Sequence, residues 1–126
     1  MLVGTGTDII EIERIRQSIE RYGSRFIERI FTPGEIAYCE RKKNAAESYA
    51  GRFAAKEAAA KALGTGIARG VTWREIEVVR KPGERPTIHL SGRAAVRAAM
   101  MGAVAASLSI THSRELALAT VLLESA

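Results

Sequence analysis

Residues 47–64 read ESYAGRFAAKEAAAKALG. No proline interrupts the stretch, and alanine, leucine, lysine and glutamate dominate its later half; all are strong helix formers. Gly64 is a natural stop. The expectation is one long helix over residues 47–63 whose alanine faces admit close packing against a sheet or a neighbouring helix. Gly51 weakens it by about 1 kcal/mol relative to alanine and is tolerated for close packing.

Upstream, Thr32-Pro33-Gly34-Glu35 spells a helix start. The threonine caps, the proline sits where its missing N–H costs nothing, and the glutamate closes a capping box. That helix is predicted to reach about Arg41, with residues 42–47 as a loop. Residues 1–12 are rich in Val, Ile and Thr and predict a strand, in which Gly4 and Gly6 allow something to approach the backbone closely. Ile12, Ile15 and Ile19 fall at helical spacing, and Gly23 ends that helix. A short second helix carries Phe26, Ile27 and Ile30. Downstream, residues 64–70 form a loop. Residues 73–80 and 87–90 form a hairpin around a proline-rich turn. A helix from Gly92 to Met101 is capped by Ser91, and two strands, 108–111 and 116–123, close the chain. This order predicts an α+β fold in one domain over residues 1–126, with a mainly antiparallel sheet packed against a long central helix.

Composition narrows the classes. Of 126 residues, 47% are hydrophobic and 26% charged, as in a globular domain. Cys39 is the only cysteine, so it cannot form an internal disulfide and cannot build a metal site alone. No apolar run approaches the ~20 residues that cross a membrane, and no signal peptide is visible, so a cytoplasmic protein without membrane attachment is expected. The net charge of +5 favours an anionic partner: nucleic acid, a phosphorylated metabolite or an acidic protein. Nucleic acid is disfavoured, because the basic residues form no dense stripe and aromatics are only 6%.

Several residues can carry chemistry. Asp8 interrupts an otherwise apolar strand, so it must reach solvent, a basic partner or a metal; carboxylates suit magnesium, which also needs phosphate or water. Glu57 and Lys61 share a helix face. They are either an ordinary surface ion pair or a second metal carboxylate with a cation that offsets developing charge. Arg52 and Lys56 form a basic pair on another face, with Arg52 rotated about 140° from Glu57. Arg52 is a solvated surface residue or reaches a ligand or a neighbouring subunit. His112 ends a strand and is placed for a site or for a structural hydrogen bond, whereas His89 reads as an exposed sheet residue. No P-loop, zinc pattern or hydrolase elbow is present.

Together these blocks are more specific than any alone. Gly4-x-Gly6-x-Asp8-Ile9, with Ile12 and Arg14, resembles the opening of the bacterial holo-acyl-carrier-protein synthases. Arg52-Phe53-Ala54-Ala55-Lys56-Glu57-Ala58-x-x-Lys61-Ala62-Leu63-Gly64-Thr65-Gly66 is similar to that family's most characteristic motif. Trp73 to Ile76, Pro86 and residues 108–113 follow in matching order. The resemblance implies transfer of 4′-phosphopantetheine from coenzyme A to a serine of apo acyl carrier protein, releasing adenosine 3′,5′-bisphosphate. It implies that Asp8 and Glu57 bind magnesium, with Lys61 beside the pyrophosphate. Arg52, Lys43, Gly64 and His112 would belong to the coenzyme A pocket. Arg14, with Arg21 or Arg25, would hold the acidic carrier protein. A homotrimer with sites between neighbours is implied, and would let Arg52 and Glu57 serve different composite sites. Two alternatives are the same chemistry on polyketide or nonribosomal peptide carrier domains, and a noncatalytic module that binds an anionic ligand. A third is a purely structural oligomer.

Overall fold

Asn44 Oδ1 accepts a hydrogen bond from the Glu47 amide and so starts the long helix, α4 (Ala45–Ala62), two residues earlier than the alanine pattern alone suggests. The computed structural model describes residues 1–67 and 69–126. Ahead of α4 come β1 (Leu2–Glu11), α1 (Ile12–Tyr22), α2 (Ser24–Ile30) and α3 (Pro33–Glu40). After it come a 3₁₀ turn (Trp73–Glu75), β2 (Ile76–Val79), β3 (Thr87–Leu90), α5 (Gly92–Met100), β4 (Ala103–His112) and β5 (Leu116–Ser125). The strands form two antiparallel sheets: β1-β5-β4, and the hairpin β2-β3. The α+β expectation is met.

α4 is buried on nearly every side because its residues are small. Ala54, Ala55, Ala58, Ala59 and Ala60 have no more than 1% of their surface exposed. On one side they meet Leu108, Ala119, Val121 and Leu123 of the three-stranded sheet. Towards its N-terminus, Tyr49 and Ala50 join Ile12, Ile15, Phe26, Ile30 and Phe31 of the first helices. The capping box at Thr32 and Glu35 forms as expected and starts α3.

β1 lies directly on α4. A Cβ at Gly6 would sit 1.9 Å from the Ala58 carbonyl oxygen, and one at Gly4 2.3 Å from that of Ala62. Only glycine permits this approach. Gly6, Asp8 and Ile10 therefore face the helix, whereas Thr5, Thr7 and Ile9 face away, opposite Leu122, Thr120 and Leu118. That outer face is left open, with Ile9 55% and Leu122 37% exposed.

Two boundaries depart from the sequence reading by more than two residues. Trp73–Glu75 is a 3₁₀ turn, not the start of the strand, because Glu75 Oε1 accepts from the Thr72 amide at 2.7 Å while its other oxygen takes the Arg93 amide of α5. β4 begins at Ala103, earlier than Leu108, since pairing with β5 overrides the weak strand preference of its alanines. Among the described residues no helix is long and apolar enough to cross a membrane.

Candidate active site

The close approach of β1 and α4 brings two acids together. Asp8 follows Gly6 on the helix-facing side of β1, and Glu57 precedes Ala58, the residue that Gly6 touches. Burial pushes the Glu57 carboxyl above the usual carboxylate range; the negative charge of Asp8 adds to this, and Lys61 opposes it. Lys61 Nζ donates to Asp8 Oδ1 at 3.0 Å and to the Thr7 carbonyl oxygen at 3.1 Å. Lys61 thus pairs across elements with Asp8, and the surface Glu57–Lys61 pair open to the sequence is not among the ion pairs of the described residues. No third acid, histidine or cysteine joins the acids to make a three-residue metal cluster among the described residues. Two carboxylates, both only partly buried, fit a hard cation whose remaining ligands are phosphate oxygens and water.

A second feature lies on another face of α4. A cavity of about 910 Å³ is bounded by the end of α3, the start of α4, the β2–β3 turn and the end of β4. Lys43, Arg52 and His112 line it, joined by Lys42, Arg80 and Arg85. Arg52 is only 6% exposed, so it is not a solvated surface residue. Its guanidinium lies 3.8 Å from the Tyr38 ring centroid, its Nη1 reaches Ser48 at 3.5 Å, and its Nε has no partner among the described residues. Burial works to raise the Tyr38 phenol, but Arg52 and Lys42 overcome it and hold the pKa below its usual value. His112 Nε2 is 3.5 Å from Glu47 Oε1. A polyanion with an aromatic or planar end suits such a basic, partly aromatic hollow.

The remaining sequence-derived residues divide as follows. Asp8, Glu57 and Lys61 converge, whereas Lys43, Arg52 and His112 line the cavity and not the acidic centre. Gly64, just past α4 with a φ of 75°, does not line that cavity. Arg14, Arg21 and Arg25 are exposed on α1 and α2. Lys56 is not a surface partner of Arg52. It is fully buried, 2.7 Å from Glu35 Oε1, and donates to the carbonyls of Trp73 at 2.9 Å and Ile76 at 2.5 Å. Burial pulls its pKa below the usual lysine value against the pull of Glu35. Glu35 Oε2 also accepts from the Val78 amide at 2.7 Å. The pair clasps α3, α4 and β2 together. Its sequence signal is a lysine four residues from Arg52 within an alanine-rich run; Tyr38 and the hairpin arginines give none.

Comparison with known proteins agrees with this architecture. The sequence model of the 4′-phosphopantetheinyl transferase superfamily matches residues 4–121. The holo-[acyl-carrier-protein] synthases of Koribacter versatilis and Solibacter usitatus are each 55% identical over 124 residues, covering 98% of this chain and 99% of theirs. The Neisseria meningitidis holo-[acyl-carrier-protein] synthase structure superimposes with a TM-score of 0.90 at 34% identity, covering 99% of this chain and 100% of that one. The Bacillus anthracis enzyme, solved in complex with CoA (3′,5′-ADP), gives 0.83 at 40% identity, covering 100% and 99%. With the motif, the fold and the full-length match in agreement, the chain belongs to the holo-[acyl-carrier-protein] synthases of the 4′-phosphopantetheinyl transferase superfamily.

Proposed function

We propose that this chain transfers 4′-phosphopantetheine from coenzyme A to a serine hydroxyl of an apo acyl carrier protein, and that Asp8, Glu57 and Lys61 form its reaction centre. The observation that carries the assignment is the convergence of Asp8, Glu57 and Lys61 where two glycines seat β1 on α4. In the reaction the serine oxygen forms a bond to the pantetheine-bearing phosphorus. The bond from that phosphorus to the bisphosphate leaving group breaks, and the serine proton is released. Asp8 and Glu57 would hold magnesium, which when bound polarises the pyrophosphate and neutralises the departing phosphate. Lys61, 53% exposed at its side chain, has the reach to face the pyrophosphate and offset charge there. Arg52 and Lys43 would take the nucleotide end of coenzyme A, with His112 at the cavity rim.

The acids and the cavity lie on different faces of α4, so one chain does not offer both to one extended ligand. A homotrimer with sites between neighbours reconciles them. The open, partly apolar outer face of the three-stranded sheet supports such an assembly. Arg14, with Arg21 and Arg25, is exposed on the two helices that follow the reaction centre's strand in the chain and would steer an acidic carrier protein.

Mass spectrometry of apo carrier protein incubated with coenzyme A, with and without magnesium, tests the function. A metal-dependent gain of one phosphopantetheine on one serine is expected; no gain on any carrier would refute it. Including carrier domains from polyketide and peptide assembly lines in the same assay decides the partner. Arg14→Glu should raise the apparent KM for the carrier and not for coenzyme A. Sedimentation showing only active monomers would refute the trimer.

A further inference from the structure

We propose that Lys61 is an internal stand-in for the divalent cation, so that the free chain resists the cation and coenzyme A relieves that resistance. This rests on the reading that Asp8 and Glu57 hold the cation. The ammonium of Lys61 sits 3.0 Å from Asp8 Oδ1 and 3.1 Å from the Thr7 carbonyl oxygen. It sits on one of the two Asp8 oxygens that a cation could take. The two partners differ in freedom. The Asp8 side chain is 16% exposed and held on a strand, whereas that of Lys61 is 53% exposed on a long flexible stem. Lys61 is the group that can leave.

Charge decides what makes it leave. Asp8, Glu57 and Lys61 together carry two negative charges and one positive. A divalent ion entering beside an ammonium on the same carboxylate meets a like charge at short range. Either the ion binds weakly or the ammonium moves to solvent without a partner. A pyrophosphate changes this balance, because its anionic oxygens give Lys61 a new partner and free Asp8. Coenzyme A therefore improves cation binding beyond any ligand oxygens it donates itself. By linkage the cation improves coenzyme A binding by the same factor. The residue that offsets charge during transfer is also the one that keeps the cation out until the substrate arrives.

The test is binding, not turnover. Mn²⁺ is titrated by electron paramagnetic resonance against the full chain, without and with saturating coenzyme A, correcting for Mn²⁺ held by free coenzyme A. Lys61→Met should bind Mn²⁺ about tenfold more tightly than the parent in the absence of coenzyme A, and the enhancement caused by coenzyme A should fall by a similar factor. Lys61→Arg, which keeps the positive charge, should behave as the parent. Unchanged Mn²⁺ affinity in Lys61→Met would overturn the stand-in role. Asp8→Asn separates the two ideas: it should abolish tight Mn²⁺ binding in both conditions, and if it does not, the assignment of the cation to Asp8 and Glu57 fails. Circular dichroism checks that each variant is folded.

Discussion

One methyl group at Gly6 should drive the two acids apart. The added Cβ of Gly6→Ala would lie 1.9 Å from the Ala58 carbonyl oxygen, 2.8 Å from the Ala62 nitrogen and 2.9 Å from the Ala58 carbonyl carbon. All three are backbone atoms, so no rotamer change relieves the clash. Restoring the 3.4 Å of ordinary contact requires a shift of 1.5 Å between β1 and α4. α4 is pinned by its buried alanines and by the Lys56–Glu35 clasp, whereas β1 is an edge strand that, among the described residues, pairs in its sheet with β5 alone. The strand should therefore move. Overpacking of a core costs about 1–3 kcal/mol, and a backbone-on-backbone clash belongs near the upper end. At about 2–8 °C per kcal/mol, the melting temperature should fall by roughly 10 °C. Asp8 lies two residues further along the same face and moves with the strand. A misplacement of about 1 Å in a reacting group costs on the order of 10²-fold in rate. Phosphopantetheine transfer, assayed below the new melting temperature, should fall by about that factor. Gly51→Ala is the control: its Cβ would meet only the Ile110 Cγ2 methyl at 3.2 Å. A side chain can give there, and the gain of about 1 kcal/mol in helix propensity offsets the strain, so its stability should stay within about 1 kcal/mol of the parent. A Gly6→Ala protein that melts and reacts as the parent does would refute the packing on which the reaction centre depends.

Other expectations follow from charge and burial. Lys56→Met leaves the Glu35 carboxylate buried without its cation and two carbonyls without their donor. Removing one partner of such a pair costs about 3–5 kcal/mol, measurable as a lower urea midpoint at pH 7, and a midpoint equal to the parent's would show the clasp to be dispensable. Glu57 has its pKa raised in the folded chain by burial and by Asp8, so the folded state binds its proton more tightly than the unfolded state does. Its ionisation therefore destabilises the fold as pH rises through the window above the unfolded carboxyl's value. Glu57→Gln should then melt higher than the parent at neutral pH, with the difference vanishing in acid, while transfer is lost; a lower melting temperature at neutral pH would contradict this. Cys39 is fully buried and its thiol is pushed up in pKa by that burial, so iodoacetamide should label it only in denaturant, and rapid labelling of the folded chain would show the α3–α4 packing to be wrong.

What the sequence revealed was local or glycine-marked. α4 and the Thr32–Glu35 box need only their own residues, and Gly4 and Gly6 announced a close backbone contact without saying which element made it. The hidden features are those set by distant partners. Nothing near Lys56 in sequence names Glu35, the strand register extends β4 back to Ala103, and Tyr38 covers Arg52 only because α3 lies along α4. The helical period did anticipate one feature of the structure. It set Arg52 about 140° from Glu57, and the structure keeps that separation: Arg52 sits under Tyr38 at the cavity, and Glu57 sits in the field of Asp8. Ala54, Ala55 and Ala58, all fully buried, lie between and around them, so α4 cannot roll to bring both side chains to one ligand without tearing its core. A ligand that needs both must meet them on two copies of the helix, and this rigidity is the physical reason for preferring the proposed trimer over any rearrangement within a single chain.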